Sequence, residues 1–329
     1  MKPSQIKQAL RWCYANERPA FLWGPPGIGK SDLVRQLAAE LKISLIDKRL
    51  SQSDPTELKG YPWPDQTAGV MSFLRDGELP TKGKGILFLD EFNNAPSATQ
   101  APAYQLILDR KLGSYTLPKG WVAIAAGNRI TDRSVVHAMA AALSNRFIHL
   151  DVEPDLEDWV SWAKISGVNP STIAYLRFRS MNLFTDKFTP GMRVFPTPRT
   201  WVYADRIAHD DTLDLAVKRG LLGGAISPEI AAEYEGFLRD ASELPDVDVI
   251  LHAPEKASLP KKPSTMYAVI TRLETITSPK TLEALLKYVA RLPKEFEVMF
   301  VQLATTRDKA LLNTGVMTRW IETNHSYMV

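Results

Sequence analysis

The chain has 329 residues, 45% of them hydrophobic, enough to bury a sizeable core and to divide into two or three domains. Forty basic residues against 37 acidic ones leave a formal charge of +3, which speaks against the dense basic tract of a dedicated nucleic-acid binder. A single cysteine, Cys13, excludes an intrachain disulfide, and no apolar run is long enough for a bilayer span. With Met1-Lys2-Pro3-Ser4 at the start and no apolar signal-peptide region, the expected setting is the cytoplasm, with no membrane partner.

In chain order, the first expected elements are a short buried strand, Ala20–Trp23, a Gly/Pro-rich loop, and a helix over 31–41 with Leu33, Leu37 and Leu41 on one face. Strands follow at Ile43–Ile46, Gly85–Leu89, Trp121–Ala126 and Phe147–Val152, with helices near 95–110 and 133–143. Such alternation implies a parallel sheet covered by helices on both faces. Between the second and third strands, Gly69–Leu74 followed by Asp76-Gly77 suggests a hairpin, and "KLGSYTLPKG" (111–120) a second turn. After Pro154 the strand signal ends. Helical patterns cover 155–166, 170–182, 199–208, 211–222 and 228–241, and the proline-rich stretch 243–263 reads as a linker or surface loop. Leu282, Leu285, Leu286, Val289 and Leu292 then mark another helical block.

The loop Gly24-Pro25-Pro26-Gly27-Ile28-Gly29-Lys30-Ser31 matches the spacing G-x-x-x-x-G-K-[ST]. Its glycines allow successive N–H groups to point into one concavity, at the start of a helix whose positive dipole end favours anions. Lys30 is placed to reach the outer phosphates of a nucleoside triphosphate, and the Ser31 hydroxyl to sit on Mg²⁺. The strand "GILFLDEF" ends in two acids. Asp90 is where a Mg²⁺ partner for Ser31 belongs, and Glu91 is the candidate general base; the plainer reading is two solvated acids at a strand end. "WVAIAAGN" ends in Asn128, either a turn residue or an amide for the attacking water or the γ-phosphate. Ligands of open α/β sheets bind at the edge where these strands end.

"GPPGIGKS", "ILFLDEF", "AAGN", "ALSNRF" and "TPRTW" together resemble the AAA+ ATPases in order and spacing, and "LDEFNNAPSATQAPAYQLILDRKLGSYTLP" resembles their MoxR branch. The likeness covers roughly residues 18–205. It implies an α/β fold: a P-loop αβα core with a five-stranded parallel sheet ordered 5-1-4-3-2, then an all-α lid; the helical C-terminal extension read from the sequence departs from a minimal two-domain MoxR protein. The corresponding division is a core over 1–153, a lid over 154–242, and a linker with helical extension over 243–329.

By the same resemblance Lys30 and Ser31 form the Walker A pair, Asp90 and Glu91 the Walker B pair, and Asn128 sensor 1. Arg146 falls at the arginine finger, which neutralises charge on the γ-phosphoryl group across a subunit interface, and Arg199 at sensor 2. A surface arginine before a strand, and a helix-start arginine with no ligand, are the plainer readings of these two. Arg129 and Arg133 could also face an interface.

The implied protein is an ATP- and Mg²⁺-dependent homo-oligomeric ring, usually a hexamer. It would remodel or help mature a protein client, commonly one with a von Willebrand factor A domain. Tyr61, Trp63, Phe73 and Tyr115 are candidate client contacts, or else pins of their own loops. The alternative is a nucleic-acid motor or clamp-loader-like ATPase, kept open by Lys82, Lys84, Lys111 and Lys119 beside the two hairpins. The scattered histidines 137, 149, 209, 252 and 325 read as core or surface residues.

Overall fold

In a computed structural model the described residues are 1–67, 69–74, 76–132, 137, 139, 141–185, 193–241 and 244–324. The chain divides into two compact units, Met1–Asp158 and Trp159–Val329.

The first unit opens with α1 (Pro3–Ala15), which the strand-led reading passes over although Ile6, Leu10 and Cys13 recur at i, i+4 and i+7 and are buried. β1 (Ala20–Trp23), α2 (Lys30–Leu41) and β2 (Ser44–Arg49) follow. After α3 (Pro55–Lys59) come β3 (Tyr61–Asp65) and β4 (Val70–Leu74), an antiparallel ribbon. Then come β5 (Gly85–Asp90), α4 (Ser97–Asp109), the short ribbon β6 (Lys111–Leu112) and β7 (Tyr115–Thr116), and β8 (Trp121–Gly127). A single turn, α5 (Ala141–Ser144), precedes β9 (Ile148–Asp151). Of the helix expected over 133–143, residues 133–136, 138 and 140 lie outside the described residues.

The five long-range strands form one parallel sheet in the order β2-β5-β8-β1-β9, the order 5-1-4-3-2 in strands counted along the chain. β5 and β8 are buried almost throughout, as central strands covered on both faces must be. Phe21, Leu87, Leu89, Ala123 and Ala125 share a cluster with Ala103, Leu106 and Ile107 of α4. The alternate residues of these strands face the other way, where α2 lies against β2 and β5 and packs on α1. The topology is the P-loop AAA+ fold.

Two local expectations are corrected. The strand expected at Ile43–Ile46 runs on through Asp47, Lys48 and Arg49, because as an edge strand β2 tolerates charge. The first hairpin turns before Gly69 (φ +64°), not at Asp76-Gly77. Asp76 instead accepts a hydrogen bond from buried Lys48, at 2.7 Å, and Glu78 pairs with the same ammonium.

The second unit is helical: most of α6 (Leu156–Ile165), then α7 (Pro170–Phe178), α8 (Pro198–Ala208), α9 (Leu215–Ile226), α10 (Pro228–Ala241) and α11 (Val247–His252). α12 (Pro263–Ile276), α13 (Leu282–Val289), α14 (Lys294–Arg307) and α15 (Gly315–Asn324) complete it. The stretch expected as a linker is packed. Ile250 and Ala257 are buried among α12 and α13 residues, and Arg291 donates to the carbonyls of Pro254 and Ala257. α12 packs on α7 and α10, and buried Glu274 pairs with Lys164 and Arg177, so helices on either side of residue 243 share one core.

Candidate functional site

The site lies in the first unit, at the edge where β1, β5 and β8 end. β1 delivers the chain into the loop Gly24–Gly29, in which Gly27 (φ +80°) and Gly29 (φ +94°) take left-handed conformations of the kind that form an anion-binding nest. α2 starts at the next residue, so Lys30 and Ser31 occupy its first turn. Lys30 is buried. Its ammonium donates to the carbonyls of Gly24 and Pro25 and, at 3.0 Å, to Asn128 Oδ1. Ser31 Oγ donates to Asp90 Oδ2 at 2.6 Å. Pro25, Pro26 and Ile28 fill the loop between the glycines, and Ile28 is buried.

Glu91 follows β5 in the left-handed region (φ +53°), and its N–H donates to Asp90 Oδ1 at 2.8 Å. Its carboxylate accepts a hydrogen bond from the Ser51 hydroxyl. Ser51 lies just after β2, which pairs with β5 so that Arg49 stands opposite Asp90. Asp47 is opposite Phe88, on the same sheet face as Asp90. Burial raises its pKa, Asp90's charge pushes the same way, and Arg35 and Arg49 oppose them.

Asn128 is held on its backbone side by Asn93. Asn93 Nδ2 donates to the Asn128 carbonyl at 2.7 Å, and the Asn128 N–H donates to Asn93 Oδ1 at 3.1 Å. That bracket needs Gly127, since a Cβ there would stand 2.2 Å from Asn93 Oδ1. Ser51, Asn93 and Asp47 went unnoticed in the sequence. The pair Asn93-Asn94 directly after the acids was a usable signal, whereas Ser51 and Asp47 carry none without the strand order.

Lys30, Ser31, Asp90, Glu91 and Asn128 are thus brought together. Arg146 is not. It is exposed in the turn before β9, makes no ion pair among the described residues, and lies at the opposite end of the sheet from the loop. β1 and β9 run parallel with Ala20 opposite Ile148, so the four residues of β9 alone separate the two ends by about 13 Å. Arg199 belongs to the second unit. It is the second residue of α8, behind the Thr197 cap (Thr200 N–H to Thr197 Oγ1, 3.1 Å), and is exposed. Arg129 pairs with Asp151 at 2.9 Å, and Arg133 and His325 lie outside the described residues.

Of the aromatic candidates, Tyr61 and Trp63 are 61% and 58% exposed, and Phe73 lies at the surface with Lys59 over its ring. Tyr115 is buried and donates to the Pro80 carbonyl at 2.8 Å, so it pins its own loop. In the second unit an open cavity of about 750 Å³ is lined by Asn169, Asp205 and His209 among others. Two of these side chains are bonded to the protein: Asp205 accepts from Asn169 N–H and Thr172 Oγ1, and Ser171 Oγ lies 3.0 Å from His209 Nε2.

The site's donor set suits its implied ligands. Ser31 Oγ and the Asp90 carboxylate are adjacent hard oxygens of the kind Mg²⁺ prefers. The glycine-rich loop, the helix N-terminus that follows it and the Lys30 ammonium suit a polyphosphate. Among the described residues no helix is long and apolar enough to cross a membrane.

Residues 19–156 match the AAA domain family, dynein-related subfamily. No curated protein matches the chain. Among solved structures, NtrX of Brucella abortus in complex with ADP is 15% identical over 94% of this chain and 67% of its own, with a TM-score of 0.41. The Holliday junction branch migration motor RuvB of Thermotoga maritima is 17% identical over 88% of this chain and 85% of its own, with a TM-score of 0.37. Likenesses this distant carry no argument about activity. The match to the AAA family over residues 19–156, on a sheet of this order, supports ATP hydrolysis by the first unit.

Proposed function

We propose that the chain works as a ring-forming, MoxR-type AAA+ ATPase that remodels a protein client. The observation that carries the nucleotide chemistry is the convergence of Lys30, Ser31, Asp90, Glu91 and Asn128 from three neighbouring strands. A triphosphate in the loop offers Lys30 stronger acceptors than the carbonyls of Gly24 and Pro25. Ser31 and Asp90 would hold Mg²⁺, which neutralises charge on the outer phosphates. Glu91 takes the proton of the attacking water once the Ser51 hydroxyl releases its carboxylate. Asn128, set by Asn93, presents its amide to that water or to the γ-phosphate.

Arg146 lies at the far end of the sheet from its own loop, and we read it as serving a neighbouring copy's triphosphate in a homo-oligomeric ring; the hexamer comes from the resemblance. We read Arg199 as sensor 2, 154–242 as the lid, and 243–329 as an extension packed on it. The client, a von Willebrand factor A-domain protein, is inferred from the resemblance, and the exposed β3–β4 ribbon offers Tyr61, Trp63 and Phe73 to it. Buried Cys13 suits a reducing compartment such as the cytoplasm.

The test is ATP turnover per chain against protein concentration, with single- and double-stranded DNA added at two salt concentrations. Turnover that rises with concentration and ignores DNA supports this reading. Equal turnover at high dilution overturns the shared site, and salt-sensitive DNA stimulation replaces the client reading with the nucleic-acid motor.

A further inference from the structure

Trp23 ends β1, and the phosphate loop begins at the next residue. Its indole N–H donates to His149 Nδ1 at 2.7 Å. An indole nitrogen only donates, so Nδ1 is the acceptor and the proton of the neutral ring sits on Nε2. Nε2 stands 2.8 Å from the Ser144 carbonyl and 3.2 Å from Ser144 Oγ. The same carbonyl accepts from Phe147 N–H at 3.2 Å, and Leu143 O accepts from Arg146 N–H at 2.9 Å. Arg146 therefore sits in a turn tied at both ends. Phe147 anchors it by stacking edge-on against Phe21 and Phe92, and His149 clamps the Ser144 carbonyl.

The His149 ring also lies nearly parallel to Trp23, 19° between planes and 5.9 Å between centroids. Histidine at an exposed edge-strand position ordinarily bonds water. Here both ring nitrogens are taken by protein groups, one on the strand that feeds the phosphate loop and one on the turn that carries Arg146.

We infer that His149 is a positioning residue: through Ser144 it sets the turn that presents Arg146, and through Trp23 it ties that turn to the copy's own phosphate loop. The inference rests on reading Arg146 as acting on a neighbouring copy's triphosphate. Its physical content is that one ring couples the site a copy occupies to the arginine it offers onward.

The test uses full-length chains in mixtures. Lys30→Ala protein, which keeps Arg146, is mixed with Arg146→Ala protein, which keeps the phosphate loop, and turnover at mixed interfaces is read. No rescue in this control overturns the Arg146 reading, and the role of His149 with it. Given rescue, His149→Phe is added to one partner at a time. Placed in the Lys30→Ala copy, which donates the arginine, it is expected to cut rescued kcat roughly fivefold at unchanged KM, about the worth of one hydrogen bond. Placed in the nucleotide-holding copy it should cost less than half of that. His149→Gln, whose amide can still donate to the Ser144 carbonyl, should restore part of the loss. An equal fall from either copy, or none from the donating copy, overturns the inference while leaving the Arg146 reading intact. Should His149→Phe fail to fold, Trp23→Phe in the same two arms decides, since it removes the indole donor and keeps a ring.

Discussion

Two buried charges, Glu274 in the second unit and Lys30 in the first, are met in different ways. In the second, the Glu274 carboxylate, 1% exposed, meets Lys164 and Arg177 from two other helices, and Arg307 donates to its carbonyl. Opposite charges satisfy one another, and the result is a brace between helices. In the first unit, buried Lys30 donates to two loop carbonyls and an amide oxygen, neutral acceptors that a polyphosphate outcompetes. Its neighbours Ser31 with Asp90, and Ser51 with Glu91, hold each other by single hydrogen bonds that a ligand can exchange. Charge matched inside the protein stabilises the fold, whereas hydrogen bonds to loop carbonyls and an amide are ones a ligand can exchange.

The largest test of that contrast is Lys30→Ala. Loss of ATP binding by calorimetry, with the helical and sheet signal in circular dichroism retained, is expected. Unchanged ATP affinity would remove the phosphate-site reading. Next, Glu91→Gln should lower turnover by about 10³-fold, within the range for a lost general base, while ATP affinity holds. Turnover within tenfold of the parent would exclude Glu91 as that base.

In the second unit the corresponding change is Glu274→Ala, which removes the buried carboxylate that Lys164 and Arg177 share. A loss of about 3 kcal/mol is expected in denaturant unfolding, at the low end for a broken buried pair because Lys164 is 32% exposed. A loss below 1 kcal/mol would show that Glu274 does not brace the helices.

The smallest expected effect is a pH dependence of the second unit. The hydrogen bond to Asp205 raises the His209 pKa above its ordinary 6.5, against the opposing effects of burial and Lys218. The cation is favoured in the folded state, so its stabilisation is complete below pH 6.5 and is lost as pH climbs through the raised value. Asp205, although burial works to raise it, is held below 3.8 by hydrogen bonds from His209, Thr172 and Asn169, so its contribution is lost only in acid. Unfolding midpoints should therefore fall modestly from pH 6 to pH 8, and His209→Gln should flatten the slope. An unchanged slope in that variant would count against the pair.

Central elements were legible in the sequence because their constraints are local. β5 and β8 are covered on both faces and read as unbroken apolar runs, and the phosphate loop needs its glycines and Lys30-Ser31 at one spacing. Edges were less legible. The charged half of β2 gives no strand signal, because the burial of Lys48 depends on its pairing with Asp76 and Glu78 from a distant segment. Prolines between 243 and 263 suggested a linker, yet Arg291 ties that stretch down through its carbonyls.

Residues adjacent in sequence thus determined the phosphate loop, the two acids after β5 and the amide after β8, since each lies on one strand or turn whose geometry local chemistry dictates. Tertiary structure alone decided that Ser51 holds Glu91 across 40 residues, that Lys30 meets Asn128 across 98, and that Trp23 meets His149 across 126. Those meetings depend on which strands lie side by side, and strand order is settled by how the whole sheet buries its faces, not by any one segment.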